Sequence, residues 1–476
     1  MFARPSLFFT KNTMVLKVLS QTRVSRASII PVQKPSNFSS IFSNLRFVRG
    51  HSSMTLRNGG IEQFSKNASI NINFNKESKV VANRAVGYWL LGTSTLVFGI
   101  VVLGGLTRLT ESGLSITEWK PVTGVLPPLN EERWLQEFMK YQESPEFKQL
   151  NSHITLSEFK FIYSMEWGHR LVGRFIGLFF VLPALYFWKT GKFNSLTTKR
   201  VVGLTALLGL QGVIGWWMVK SGLDEAQLAE RRSKPTVSQY RLTTHLGAAF
   251  LMYLGVLWAG MDVLNENKLI KDSIKSPESL KNFLSKIQNP ALKKYRYIAT
   301  GLLSLTFLTA LSGGMVAGLD AGLIYNTFPH MGDDYLPTIN ELMSPIFAHK
   351  ADKSDLWWRN LLENPTTVQL VHRCFAITTF FSVLAAHVSV ARHKELFPKA
   401  ALTLNRILMG IVTLQAALGI STLVYLVPIP LAAAHQAGAL ALLTSCLVFL
   451  TKLKRPRAQV VSYINKSLKQ KLLKKQ

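Results

Sequence analysis

The chain has 476 residues, of which 48% are hydrophobic and 17% are charged, and its formal net charge is +29. Its length would suit two or three soluble domains, but the apolar residues form eight runs of about 20 residues, the length that crosses a bilayer. The basic charge does not indicate a nucleic-acid partner, because eight Lys and Arg residues lie in residues 1–50 and nine lie in residues 452–476.

The N-terminal end has the composition of a mitochondrial targeting segment. Residues 1–50 are rich in Ser and Arg, and the first acidic residue is Glu62, which is the pattern of a transit peptide. We therefore predict a transit segment over residues 1–50, followed by a matrix segment over residues 51–85. The basic C-terminal end, residues 452–476, is predicted to be a matrix tail.

Eight segments are predicted to cross the membrane, and we number them spans 1 to 8. The connections after spans 2, 4 and 6 are basic, whereas the first outer segment, between spans 1 and 2, carries eight Glu residues from Glu111 to Glu158. The positive-inside rule then places both termini in the matrix, so we expect a multi-pass protein of the mitochondrial inner membrane, in contact with its lipids. The predicted spans lie near residues 86–108, 161–188, 201–219, 241–262, 297–319, 366–390, 402–426 and 429–451.

The chain contains an internal repeat of four spans. The stretch GGLTRLTESGLSITEWKPVTGVLPP, residues 104–128, aligns with GGMVAGLDAGLIYNTFPHMGDDYLP, residues 313–337. EWGHR then aligns with QLVHR, and RLTTHLGAA with LAAAHQAGA, as expected of a parallel repeat about an axis along the membrane normal. We therefore predict an all-α polytopic membrane protein whose eight transmembrane helices form two tandem, pseudo-twofold-related four-helix bundles. These are residues 86–263 and 297–451, joined by a basic matrix linker, residues 264–296.

Four histidines occupy corresponding places in this repeat, at similar depth from the outer ends of their spans. Two imidazoles that face each other across a four-helix bundle can ligate one haem iron from both sides, whereas zinc needs a third or fourth ligand. The alternative is that each histidine hydrogen-bonds a neighbouring helix, but four at matched depth favour haem ligation. They are His169, His245, His372 and His435.

Glu166 breaks the symmetry of the repeat. It lies three residues before His169, on the same face of the helix, and its counterpart is Gln369. A desolvated carboxyl beside a cofactor would have a raised pKa and would suit proton handling; alternatively, the carboxylate extends to the outer surface or pairs with Arg170. Arg170 and Arg373 each follow a predicted ligand, and they either contact haem propionates or extend to the membrane surface.

The doubled four-span unit, the GGLTRLTESGLS opening, EWGHRLVGR and the four histidines together resemble the mitochondrial haem A synthase family. The resemblance covers roughly residues 84–452, and its most specific part is TRLTESGLSITEWKPVTGVLPP. It implies conversion of haem O into haem A for cytochrome c oxidase, by oxidation of the C8 methyl group to a formyl group. Two successive hydroxylations and loss of water are implied for that oxidation.

The resemblance also implies roles for individual residues. Glu166 matches the essential carboxylate of the family, and His169 and His245 match the substrate site in the N-terminal half. His372 and His435 match the ligands of a resident haem b in the C-terminal half. A ferredoxin-type electron donor on the matrix side and haem O synthase are implied as partners by family analogy, and we also expect a homo-oligomer.

Three other functions compete with this interpretation. A bis-His diheme electron carrier would have two symmetric sites, and the difference between Glu166 and Gln369 argues against it. A haem-delivery or assembly factor would bind haem without reacting with it. A transporter is disfavoured, because the spans lack midplane Gly or Pro interruptions at matching positions.

Overall fold

The computed structural model describes residues 80–120, 124–231 and 233–473. The predicted transit segment, residues 1–50, and most of the predicted matrix segment, residues 51–85, lie outside the described residues. In the described part the regular structure is helical apart from one isolated β-bridge, and eight helices are long and apolar enough to cross a membrane. The eight predicted spans are therefore confirmed. Their bounds are Arg84–Leu109, Leu156–Lys189, Ser195–Leu223, Gln239–Lys275, Leu292–Gly318, Pro365–Arg392, Lys399–Val424 and Ile429–Leu453.

Short polar side chains fix where several spans begin. The side chains of Asn83, Asn194 and Asn364 accept hydrogen bonds from backbone N–H groups in the first turns of spans 1, 3 and 6. These N–H groups have no partner within the helix. Thr155 and Glu158 form a reciprocal capping box at the start of span 2, which stabilises the helix end. This cap explains why span 2 begins more than one turn ahead of its predicted start.

The basic connections are more helical than the sequence predicts. Span 4 continues past its predicted end to Lys275, and a second helix, Pro277–Gln288, follows, so most of the predicted linker is helical. The predicted tail contains the helix Ala458–Leu473. These two helices are amphipathic and pack against each other, which buries apolar residues that a composition-based view treats as part of a charged loop. The buried residues are Leu280, Val460 and Ile464.

Each half of the repeat arranges its four spans in a ring. Spans 1, 2, 3 and 4 pack in that cyclic order, so spans 2 and 4 lie diagonally across the bundle. Spans 5 to 8 repeat this arrangement, with spans 6 and 8 on the diagonal. The two halves join where span 1 packs on span 8 and span 4 packs on span 5. The histidine-bearing spans therefore face each other across the centre of each bundle.

The backbone shows the same turn at the outer end of each half. Glu111 and Asp320 occupy equivalent places after spans 1 and 5, and both have positive φ, 50° and 52°. Because non-glycine residues rarely adopt this conformation, the shared turn supports the predicted repeat. The domain boundaries at residues 86–263 and 297–451 stay a prediction, since one apolar core joins residues of spans 1 to 4 with residues of span 8.

Candidate functional site

Each of the four predicted ligand histidines packs against a glycine of a neighbouring span. A methyl group in place of a glycine hydrogen would lie 2.7 to 3.1 Å from an atom of the imidazole, so each ring lies directly on helix backbone. Equivalent histidines meet equivalent glycines in the two halves, which supports the predicted match in depth. The four pairs are His169 with Gly104, His245 with Gly215, His372 with Gly313 and His435 with Gly419.

Polar groups contact the rings of two of these histidines. The Nε2 atom of Gln211 lies 3.2 Å from Nδ1 and 3.4 Å from Nε2 of His245. The hydroxyl of Ser312 lies 2.8 Å from Nδ1 of His372, a contact of the kind that fixes the ring of a metal-binding histidine. Nδ1 of His435 is buried and has no hydrogen-bond partner. The two imidazoles of each half come from diagonal spans.

Two glutamines hydrogen-bond the backbone of the histidines in spans 4 and 8. Gln211 of span 3 donates a 2.9 Å hydrogen bond from Nε2 to the carbonyl of His245. Gln415 of span 7 donates an equivalent 2.9 Å bond to the carbonyl of His435. Because both halves contain this contact, it belongs to the part of the site that the repeat shares.

The carboxylate of Glu166 is buried and accepts hydrogen bonds from three donors. Its Oε2 atom accepts from the hydroxyl of Ser115 at 2.7 Å and from the backbone N–H of Ile116 at 2.8 Å. Its Oε1 atom accepts from Arg170 at 2.6 Å. The predicted pairing with Arg170 is therefore present, and the side chain is only 3% exposed, so it does not extend to the surface. Three donors and no acceptor suit a carboxylate anion.

Arg170 also fastens the first outer segment to span 2. It donates to the carbonyls of Ile116 and Glu118 at 3.2 and 3.3 Å. Two further side chains of span 2 reach the same segment. Trp167 donates to the carbonyl of Val125 at 3.0 Å, and Arg174 donates to the carbonyl of Lys120 at 2.8 Å. The first outer segment is thus bound along the outer half of span 2.

The second half repeats this fastening with one change of polarity. Arg373 donates to the carbonyls of Tyr325 and Thr327 at 3.2 and 2.9 Å, and the repeat makes these the counterparts of the two carbonyls that bind Arg170. Gln369, however, donates from Nε2 to the carbonyls of Ala321 and Tyr325. Glu166 accepts from its outer segment where Gln369 donates, so the negative charge occurs in one half alone.

A cavity of ≈ 360 Å³ opens at the outer end of the N-terminal half, between the first outer segment and the end of span 3. Two cations, two indoles and two carboxylates are among the side chains that line it. Arg170 lies 5.7 Å from the ring centroid of Trp119, and Lys220 lies 5.7 Å from that of Trp216. Lys220 was not predicted from the sequence, although a lysine at the acidic outer end of a span runs against the positive-inside trend.

The first outer segment contains a buried carboxyl of its own, Glu146, which was not predicted from the sequence. Glu146 is 4% exposed and accepts a 3.0 Å hydrogen bond from the hydroxyl of Tyr141, which in turn accepts one from Asn151. Burial raises the pKa of Glu146 to about 8, and the negative charges of Glu166 and Glu111 act in the same direction, whereas the hydrogen bond from Tyr141 opposes them. In the sequence it is one of eight outer glutamates, with no local sign of burial.

Comparison with known proteins identifies the family. Residues 87–447 match the family described as cytochrome oxidase assembly protein. A relative from Saccharomyces cerevisiae, named Heme A synthase COX15, is 61% identical over 388 residues, which cover 82% of this chain and 79% of the relative. The chain belongs to the haem A synthase family. The resemblance predicted from the sequence motifs is therefore confirmed, and with it the class of a membrane oxidoreductase.

Two other haem A synthases differ in how much of them the chain covers. A human protein, also named Heme A synthase COX15, is 44% identical over 379 residues, or 79% of this chain and 84% of the human protein. A Schizosaccharomyces pombe protein is named Heme A synthase-mitochondrial ferredoxin fusion protein. It is 50% identical over 375 residues, which cover 78% of this chain but 60% of the fusion.

Proposed function

We propose that this protein is a haem A synthase that oxidises the C8 methyl group of haem O to the formyl group of haem A, for cytochrome c oxidase. The single observation that carries the proposal is an asymmetry between two similar sites. Each bundle presents two imidazoles from diagonal spans, and the carboxylate of Glu166 is added to one of them alone. Two equal electron-carrying sites would not need that difference.

The C-terminal half fits a resident haem b. His372 and His435 belong to diagonal spans, and each imidazole packs against a glycine, which presents no side chain to it. The Ser312 contact orients one ring, and the orphaned Nδ1 atom of His435 lies in a buried place. His372 and His435 would hold the haem iron, and the bound haem would supply a redox-active iron. The residues of this half bind and orient it.

The N-terminal half is the proposed substrate site, where His169 and His245 would hold the iron of haem O. Glu166 lies one helical turn from His169, and three donors hold it as an anion. In this role its Oε2 atom would accept a proton at the substrate site. Ser115 contacts that atom through its hydroxyl, which also lies 3.0 Å from the carbonyl of Ser112, and so holds the carboxylate against the first outer segment.

The cavity at the outer end of this half is the proposed place of the haem O propionates. Arg170 and Lys220 both line it, together with the carboxylates of Glu118 and Asp224. Glu118 is paired with Lys120 and Lys140, which leaves Arg170 and Lys220 as the cations proposed to meet the propionates. Arg170 donates two hydrogen bonds to backbone carbonyls, so Lys220 has more donors left for a propionate. In the C-terminal half Arg373 is the candidate propionate contact, and its Nε atom is buried without a hydrogen-bond partner.

The proposed setting is the mitochondrial inner membrane, with both termini in the matrix. The basic helices of the linker and tail lie on that side by the positive-inside rule. A ferredoxin-type protein is the proposed electron donor, since the Schizosaccharomyces pombe relative is named as a fusion with a mitochondrial ferredoxin. Haem O synthase is the proposed supplier of substrate, and the protein is proposed to act as a homo-oligomer.

The test is extraction of the haems from the purified protein, followed by chromatography and mass spectrometry. We expect haem b together with haem O, hydroxylated haem O or haem A. His372→Ala and His435→Ala should remove haem b, whereas His169→Ala and His245→Ala should mainly impair turnover and retention of the substrate haem. Haem b in both sites would favour the electron carrier instead, and equal loss of one haem from all four variants would contradict the two-site assignment.

A further inference from the structure

The two proposed haem sites are joined by a short chain of contacts through span 1. Gly104 lies against His169, and the next residue, Gly105, lies against Gln436, which directly follows His435. A methyl group on Gly105 would lie 1.5 Å from Oε1 of Gln436, so this approach requires glycine. Two consecutive glycines of span 1 thus contact both sites, Gly104 through His169 and Gly105 through the neighbour of His435.

Gln436 crosses from the second half of the repeat to the first. Its Nε2 atom donates a 2.9 Å hydrogen bond to the backbone carbonyl of Val101 in span 1. In an α-helix the carbonyl of residue 101 accepts from the N–H of residue 105, so Gln436 uses the remaining lone pair of that carbonyl. Polar bonds of this kind hold membrane helices together, and this one holds span 8 to span 1 beside His435.

The pseudo-twofold gives a second chain of contacts that lacks the hydrogen bond. Gly313 lies against His372, and Gly314 lies against Leu246, which directly follows His245. A methyl group on Gly314 would come no closer than 3.1 Å, to the flexible end of Leu246. Leu246 thus stands where the other set of contacts has Gln436. The two connections share a layout, but a side-chain hydrogen bond is present in the Gln436 connection alone.

We propose that Gln436 is a positioning residue that holds the haem b site against the substrate site and sets the rate of electron transfer between them. This inference rests on the proposed function. In the transfer one electron leaves the iron of haem b, which is oxidised, and reduces the iron of the substrate haem. A donor of the ferredoxin class then restores haem b. Such transfer slows steeply as the separation grows, so a bond that fixes the separation governs the rate.

The test uses the full-length protein in detergent with both haems bound. A flash-generated flavin semiquinone reduces haem b, and the absorption bands of the two haems then report how fast the electron moves on. Gln436→Leu places the residue of the other half at this position and should slow that step several-fold. Gly105→Ala, whose methyl group displaces the Gln436 side chain, should have the same effect. In both variants the electron paramagnetic resonance signal of ferric haem b should shift.

Two matched controls separate positioning from general loss of packing. Thr444→Val removes another hydrogen bond between the halves, since the Thr444 hydroxyl lies 2.6 Å from that of Tyr253, two turns further along span 8. Gly314→Ala places the same methyl group at the repeat-equivalent position of Gly105. Thr444→Val should transfer electrons at the unmodified rate, and Gly314→Ala should slow the transfer less than Gly105→Ala does.

The outcomes distinguish this inference from the function on which it rests. Unmodified rates and an unmodified resonance signal in Gln436→Leu and Gly105→Ala would overturn the inference and leave the proposed function intact. Equal slowing in Thr444→Val would also overturn it, because any bond between the halves would then suffice. Absence of haem from both sites of the unmodified protein would overturn the proposed function and this inference together.

Discussion

Replacing Glu166 by Gln tests whether the carboxylate takes part in the chemistry, and the structure shows why the result needs a companion variant. The carboxylate accepts from Ser115, from the N–H of Ile116 and from Arg170. A glutamine has one acceptor oxygen and one NH₂ donor. Whichever way the amide is turned, its NH₂ group faces either the Ile116 N–H or the Arg170 guanidinium. A structural role would therefore also be damaged by this substitution.

The two effects differ in kind more than in size. Leaving one buried donor without its acceptor costs about 1–3 kcal/mol, which is roughly a 5- to 150-fold change in the equilibrium for opening the first outer segment. Loss of a general acid–base group typically costs about 100- to 10,000-fold in rate. Because the ranges overlap, the amount of haem A cannot decide between them by itself, and the integrity of the outer segment has to be measured as well.

The assay compares Glu166→Gln with Ser115→Ala in cells that depend on the variant. Ser115→Ala removes a bond that fastens the segment but keeps the carboxylate. We expect Glu166→Gln to accumulate haem O or an alcohol intermediate while haem b and protein level stay near normal, and Ser115→Ala to keep most of its haem A. Protease sensitivity of the first outer segment reports the fastening in both. Equal losses of haem A that track protease sensitivity, or normal haem A in Glu166→Gln, would refute the catalytic role.

Three further predictions follow from the outer end and the topology. Lys220→Met should weaken retention of the substrate haem without loss of haem b, as measured by haem extraction, whereas Lys148→Met on the same side should not. For Glu146, whose pKa is about 8 in the fold against 4.5 ordinarily, the folded state alone keeps the proton between those pH values. Stability should therefore fall as the pH rises from about 4.5 through about 8, and Glu146→Gln, but not Glu143→Gln, should remove that dependence in thermal unfolding. A C-terminal tag should survive protease treatment of mitoplasts, and its cleavage across an intact membrane would reverse the assigned topology.

The spans and the paired histidines could be predicted because their signals are local or repeat at a fixed offset. Eight apolar runs reveal eight helices, and internal alignment places His169 and His372 at equivalent depth. The surroundings of Glu166 could not be predicted, because Ser115 and Ile116 lie about 50 residues away along the chain. No periodicity reports that an irregular segment folds back along a membrane helix. The ion pair with Arg170 could be anticipated, since i and i+4 share a helix face.

The internal repeat acts as a built-in comparison between two forms of one site. Features that both halves share, such as the glycine beside each histidine and the glutamine bond to the fourth-span backbone, belong to what both halves bind. Features that differ mark where the halves have separate tasks. The sequence already shows both differences used here, Glu166 against Gln369 and Leu246 against Gln436. The structure adds what each side chain contacts. Glu166 binds the outer segment of its own half, whereas Gln436 binds the backbone of the other half. One substitution therefore changes the chemistry available at a site, and the other changes how that site is connected to its neighbour.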